Sequence, residues 1–161
     1  MGMDSDRGLA YLKSQLAAGN SLPSSGSIFI SLRDEDKDAA MEYARELANM
    51  GFTLYATRGT STKLYDSGIP AQAVFRISRG RPNLLDLVHE GKIQWIINTA
   101  ENGAEAMVDE IQMRTQSVIN GLPITTTLSG MAAAVEGLRD KAEFGRLEVC
   151  SLQEYHRHVV H

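Results

Sequence analysis

The chain has 161 residues, 43% of them hydrophobic and 22% charged, which is the size and composition of one well-packed globular domain. Apolar runs such as Ile93–Ile97 fall far short of the ~20 residues of a membrane span, and Leu9–Ala18, interrupted by Lys13, Ser14 and Gln15, does not read as a secretory leader. A net charge of −4 argues against a nucleic-acid polymer as partner, and a single cysteine, Cys150, excludes an internal disulfide and zinc-type Cys/His spacing, so the expected compartment is the reducing cytoplasm.

The first residues, Met1-Gly2-Met3, read as a start rather than as fold. Leu9, Leu12 and Leu16 recur at helical spacing, with Gly19-Asn20 as the stop. Ser21–Gly26 has linker composition. Residues 1–25 are therefore expected to be a helix and linker joined to a preceding polypeptide, and 26–161 the domain proper. Ile28–Leu32 reads as a buried strand. Asp34 and Asp36 offer helix N-caps before an apolar stripe, Ala40, Ala44, Leu47 and Ala48, that stops at Gly51. Strand Phe52–Ala56, helix Ser61–Ser67, strand Gln72–Ile77 and helix Asn83–Glu90 follow. Gln94–Asn98 is a further strand, with Trp95 expected in the core. Residues 103–119 place Ala104, Met107, Val108, Ile111, Thr115 and Val118 at helical spacing. Leu122–Thr126 is the fifth strand, and Leu128, Met131, Ala132, Val135 and Leu138 mark a long helix. Leu147–Val149 reads as a short strand holding a packed, inert Cys150, and Leu152–His158 as a terminal helix.

Five alternations of strand and helix, with crossovers long enough for right-handed βαβ units, predict an α/β fold. A parallel sheet is covered on both faces by helices. Ligands bind such sheets beyond the carboxyl ends of the strands. Those ends carry Ser31, Arg33 and Lys37; Thr57-Arg58-Gly59-Thr60; Arg76, Ser78, Arg79 and Arg81; Asn98-Thr99; and Thr125–Thr127 with Ser129. Hydroxyls, cations and the backbone N–H groups of helix starts are what a phosphate requires. Serine or threonine at one strand end is ordinarily a cap; agreement among five ends favours an anion site. Charge agrees. Residues 58–92 hold six basic and three acidic side chains, so this segment is +3 within an acidic protein. No GxGxxG or Walker sequence is present. No histidine falls at a strand end, since His89 sits on a helix and His156, His158 and His161 lie in the tail. The carboxylates near the ends are Asp34, Glu35, Asp36 and Glu101.

Several of these runs resemble a known family. Ser31-Leu-Arg-Asp-Glu-Asp-Lys37, Gly51–Thr60, Gly80-Arg-Pro82, Ile96-Ile-Asn98-Thr99 and Thr126-Thr-Leu-Ser-Gly130 are similar to the C-terminal allosteric domain of carbamoyl-phosphate synthase large chains, a member of the methylglyoxal-synthase-like superfamily. Tyr11–Gly19 and Ser151–His156 resemble the segments that enter and close that domain. The resemblance implies a three-layer α/β/α fold with a five-stranded parallel sheet in the order 3-2-1-4-5. It implies a nucleotide effector site for UMP or IMP. Ser31, Lys37, Thr57, Gly59, Thr60 and Arg76 would hold the phosphate, and Asn98 and Thr99 would lie along the nucleoside. Thr126 matches an ornithine-contacting threonine. Ala100 replaces a frequent threonine, and Ile124-Thr125 replaces a common Tyr-Asp pair, which bears on ornithine sensitivity. The implied partners are the catalytic part of the same large chain, with its ATP, magnesium and potassium, and a glutaminase small chain. No cofactor or metal is expected in the domain itself.

Two other readings compete. Methylglyoxal synthases share the threonine motif, but they carry Gly-Gly-Asp after the third strand and His-Asp after the fourth. Here those places read Ser78–Pro82 and Asn98–Glu101, which leaves no evident base for proton abstraction beside a carbonyl. The Lys-Thr-Leu-His-Pro run of IMP cyclohydrolase domains is also missing, so a non-catalytic domain is expected. The other alternative is an oligomerisation module, with uncharged stretches such as Gly130–Ala134 packing on partners.

Overall fold

A computed structural model describes residues 2–4, 6–144 and 153. The expected strand at Leu147–Val149, the terminal helix, Cys150 and the three tail histidines lie outside these residues. Twelve elements follow in order: α1 (Arg7–Ala17), β1 (Ser27–Ser31), α2 (Asp34–Asn49), β2 (Thr53–Thr57), α3 (Arg58–Asp66), β3 (Gln72–Val74), a 3-10 turn (Ile77–Arg79), α4 (Leu84–His89), β4 (Trp95–Asn98), α5 (Ala104–Asn120), β5 (Ile124–Thr125) and α6 (Leu128–Phe144). The strands form one sheet in the order β3-β2-β1-β4-β5, and every pairing is parallel. The three-layer α/β/α expectation and its strand order hold.

Side chains alternate across the sheet with the strand period of two. Ile28 and Ile30 of β1, Leu54 and Ala56 of β2, and Trp95 and Ile97 of β4 enter one core, with Leu47 of α2, Leu64 of α3, Met131 and Val135 of α6, and Leu12 of α1. Phe29 and Ile96 face the other way, into a smaller core with Val74, Leu84, Leu87, Val88 and Met113. Trp95 is fully buried, and its indole N–H donates to Thr125 Oγ1 at 3.0 Å, which offsets the cost of burying that polar group. Helix α1 crosses α6 through glycines. A Cβ on Gly8 would lie 2.5 Å from the Gly137 nitrogen, and one on Gly137 would lie 2.5 Å from the Gly8 carbonyl oxygen.

Local chemistry sets the ends of the helices. Asn83 and Asp86 form a reciprocal capping box at the start of α4. Gly121 takes the left-handed conformation, φ 62°, at the end of α5. The N-cap of α2 is Arg33, which makes no side-chain capping bond. Asp34 and Asp36 therefore are not the caps the sequence suggests. They sit in the first turn, where negative charge complements the helix dipole, and pair with Lys37 and Arg33 respectively.

Three further expectations change. The third strand stops at Val74, because the Phe75 N–H donates to the Pro82 carbonyl and the chain turns through Ile77–Arg79. Within Gly130–Ala134, Met131, Ala132 and Ala134 are buried and Gly130 and Ala133 half-buried, so most of that stretch packs inside the domain and not on a partner. The apolar stripe of the fifth helix turns outward: Met107, Val108, Ile111 and Val118 are exposed, while Asp109, Met113 and Ser117 face inward. Among the described residues no helix is long and apolar enough to cross a membrane.

Candidate functional site

The carboxyl edge of the sheet is lined by the segments that leave β1, β2, β3 and β4. Helix α3 starts at Arg58, so Thr57 is its N-cap and Gly59 and Thr60 lie in its first turn. Thr57 makes no capping bond with its side chain. Its hydroxyl instead lies 3.3 Å from the Thr60 hydroxyl and 3.5 Å from that of Ser31. The first N–H groups of α3 are thus left without a side-chain cap, at the positive end of the helix dipole. Thr60 is 1% exposed, and its hydroxyl oxygen accepts from the Leu32 N–H at 3.0 Å, which leaves its own proton to donate.

Lys37 reaches this point from α2. Its Nζ lies 3.2 Å from where a Cβ on Gly59 would be. The absent side chain is what lets an ammonium lie against the first turn of α3. Lys37 keeps only 16% of its side chain exposed, and its partner Asp34 is 89% exposed. The hydrogen bond from Lys37, together with its charge, holds the Asp34 carboxyl below its ordinary value, and the charge of Arg76 adds to this.

Lys37, Thr57, Gly59, Thr60 and Arg76 line one cleft of about 420 Å³ with Leu32, Arg58, Phe75, Arg79 and Glu101. That volume lies within the range of small-molecule sites. The Arg58 guanidinium stacks 4.2 Å above the Phe75 ring. A narrower recess adjoins the cleft, lined by Ser31, Asn98, Thr99, Asp109 and Glu110, with Arg76 and Glu101 shared between the two. The Thr99 hydroxyl accepts from the Arg33 N–H at 3.0 Å, and its N–H donates to the Ser31 carbonyl. The structure therefore brings eight of the nine sequence-derived residues to one edge. Thr126 is the exception: it is half-buried just past β5 and lines neither space.

Sequence reasoning missed Phe75, Asp109 and the role of Glu101. Glu101 bonds Arg76 across the mouth of both spaces. Asp109 is buried and accepts from the Ser78 N–H at 2.9 Å and the Ser78 hydroxyl at 3.0 Å. The region after the third strand thus has a carboxylate after all, supplied by α5. Both of its oxygens are engaged in holding the 3-10 turn. The sequence carried no signal for it, because the apolar residues of α5 mark the opposite side of the helix as the buried one.

Comparison with known proteins bears on the chain as a whole. A family described as the MGS-like domain matches residues 39–126, more than half of the chain. Carbamoyl phosphate synthase large chains are similar over nearly all of it. That of Myxococcus xanthus (strain DK1622) is 43% identical over 155 residues, 96% of this chain and 14% of the relative. That of Methanothrix thermoacetophila is 42% identical over 159 residues, 99% of this chain and 15% of the relative. The "Carbamoyl phosphate synthase large chain, C-terminal section" of Methanopyrus kandleri is 41% identical over 157 residues, 98% of this chain and 29% of that protein. The chain spans only about a seventh of the full-length relatives.

Proposed function

Since the chain belongs to the MGS-like domain family and matches a segment of carbamoyl phosphate synthase large chains, we propose that it is the regulatory domain of such a synthase and binds a nucleoside monophosphate. The observation that carries the reading is the Lys37 ammonium lying over Gly59, beside the uncapped start of α3 and the buried hydroxyls of Thr57 and Thr60. A phosphate there meets a fixed cation, a helix dipole and two hydroxyl donors. It replaces Asp34 on Lys37 and Glu101 on Arg76, two carboxylates that occupy the cations in the free protein. Ser31 adds a third hydroxyl. Asn98 and Thr99 offer an amide and a hydroxyl to the nucleoside, and the effectors are UMP and IMP. Thr126 stands apart, as an ornithine contact at the border with the rest of the large chain.

In this reading the domain performs no chemistry. It is cytoplasmic and partners the catalytic part of the large chain, which uses ATP, magnesium and potassium, and through it a glutaminase small chain. The effector acts through different affinities for two states of that assembly, a coupling of ~1–3 kcal/mol.

Calorimetric titration of the chain with UMP and IMP tests the site. Lys37→Ala is expected to weaken binding about 10- to 150-fold, from the ~1.5–3 kcal/mol of a charged hydrogen bond. Thr60→Val should act similarly, while Thr60→Ser, which retains the hydroxyl, binds as the parent does. Binding that survives both Lys37→Ala and Thr60→Val overturns the assignment.

A further inference from the structure

On the nucleotide reading of the cleft, we propose that Arg58 and Arg79 form a second phosphoryl subsite beside the first, so that a nucleoside 5′-diphosphate binds more tightly than the monophosphate. Among the described residues four cations line the cleft: Lys37, Arg58, Arg76 and Arg79. Three have carboxylate partners, Asp34 for Lys37, Glu101 for Arg76 and Glu105 for Arg79. Arg58 makes no ion pair among the described residues; its guanidinium lies 4.2 Å over the Phe75 ring instead. A guanidinium seated on an aromatic face is positioned without its N–H groups being consumed. The ring is itself held. The Phe75 N–H donates to the Pro82 carbonyl at 2.9 Å, and Gly80 lies so close that a Cβ there would be 3.4 Å from the ring. Arg79 is less committed. Its bond to Glu105 joins side chains 65% and 61% exposed, and a pair so open to water yields readily to a stronger anion.

Strand order gives the ligand a direction. The strands whose ends form the edge run β3-β2-β1-β4. Asn98 and Thr99 stand at the end of β4, Ser31 and Lys37 at and after the end of β1, Thr57 to Thr60 at and after the end of β2, and Phe75 to Arg79 after β3. With the nucleoside beside β4 and its phosphate between β1 and β2, the next place in the row belongs to Arg58 and Arg79. It lies about one strand spacing further on, ~4.8 Å, a step that the outer oxygens of a diphosphate span. Charge separates the two ends of the row. The recess sets Glu101, Asp109 and Glu110 against Arg76, so a second phosphate carried on the nucleoside side would meet carboxylates. The cleft sets four cations against Glu101. A monophosphate that takes Lys37 from Asp34 and Arg76 from Glu101 leaves Arg58 without an anion, and a second phosphoryl group supplies one.

Calorimetric titration of the chain with UMP, UDP and inorganic pyrophosphate is the test, with circular dichroism reporting the fold of each variant. The parent is expected to bind UDP about tenfold more tightly than UMP. Pyrophosphate should bind more weakly than UDP, because it leaves Asn98 and Thr99 unused. Arg58→Gln, at an exposed position, should erase most of the preference for UDP while changing UMP affinity less than about twofold. Phe75→Leu, which keeps the charge and removes its seat, should lose part of that preference. UMP bound as tightly as UDP overturns the second subsite and leaves the monophosphate site standing. An Arg58→Gln chain that keeps the full preference, or that loses UMP and UDP affinity alike, overturns it as well. Pyrophosphate bound as tightly as UDP removes the nucleoside from the assignment, and a chain that binds neither nucleotide overturns the nucleotide reading together with this extension of it.

Discussion

The two faces of the sheet are built differently. On one, α2, α3 and α6 cover Ile28, Ile30, Trp95 and Ile97 and merge with Leu12 of α1 into a large continuous core. On the other, Phe29 and Ile96 are covered by the short α4 and by α5, and α5 contributes Met113 alone to the buried cluster. Both faces carry helices of apolar, periodic sequence. The difference is that α6 buries its stripe and α5 displays its own. An amphipathic helix specifies that it has an apolar side; what that side touches is set by the neighbours the topology supplies.

The largest expected effect contrasts two isoleucines. Ile97→Asp places an unpaired charge at a fully buried strand position and should abolish cooperative folding. Ile111→Asp, on the exposed stripe, should shift stability by no more than ~0.5 kcal/mol at micromolar chain. Denaturant unfolding followed by circular dichroism checks both, and equal losses would erase the distinction between the faces. Next in size, Trp95→Ala should cost ~3–5 kcal/mol, since it opens a cavity and strips Thr125 of its donor. Met113→Ala on the thin face should cost about 2 kcal/mol, the lower end for such truncations, because a lightly covered face can collapse. The same unfolding curves rank the pair, and a Met113 loss exceeding that of Trp95 would invert the comparison.

At the carboxyl edge, where the two faces meet, effects on binding should exceed effects on stability. Gly59→Ala meets only the terminal ammonium of Lys37, 3.2 Å away, which a long side chain can shift by a few tenths of an ångström. It should leave stability unchanged or raise it by less than ~1 kcal/mol through helix propensity, while nucleotide affinity falls as Lys37 is displaced. Melting and titration of the one variant separate the two readouts. The smallest effect concerns pH. Asp34 is held below its ordinary 3.8 by Lys37, so the pair's contribution is present above that value and is lost as pH falls through the lowered one. Asp34 is exposed and its pairing is screened by salt, so the change in stability should be slight. A carboxyl titration by NMR should place Asp34 below 3.8 in the parent and return it toward 3.8 in Lys37→Ala.

Among the parts of the site, the hydroxyls and cations were legible because they fall within a few residues of strand ends, and a parallel sheet brings all its carboxyl ends to one edge. Phe75 escaped because the third strand was read as running on to Ile77. Inside a strand it would alternate into the sheet, whereas at the end of β3 it stacks under Arg58. Asp109 escaped because it arrives from the middle of a helix whose apolar residues pointed to the opposite side as the buried one.

Taken alone, the order of residues determined the alternation of strands and helices, the two-sided sheet and the identity of the edge that gathers charge and hydroxyls. These rest on periodicity and on local turn chemistry, which act over a few residues. Tertiary structure decided what depends on contacts between distant segments. It paired Lys37 with the bare Cα of Gly59 and set Glu101 across Arg76. It also rolled α5 so that Asp109 could reach Ser78. A buried carboxylate without partners costs several kcal/mol, and two hydrogen bonds to Ser78 meet that requirement only with the apolar stripe of α5 turned to solvent.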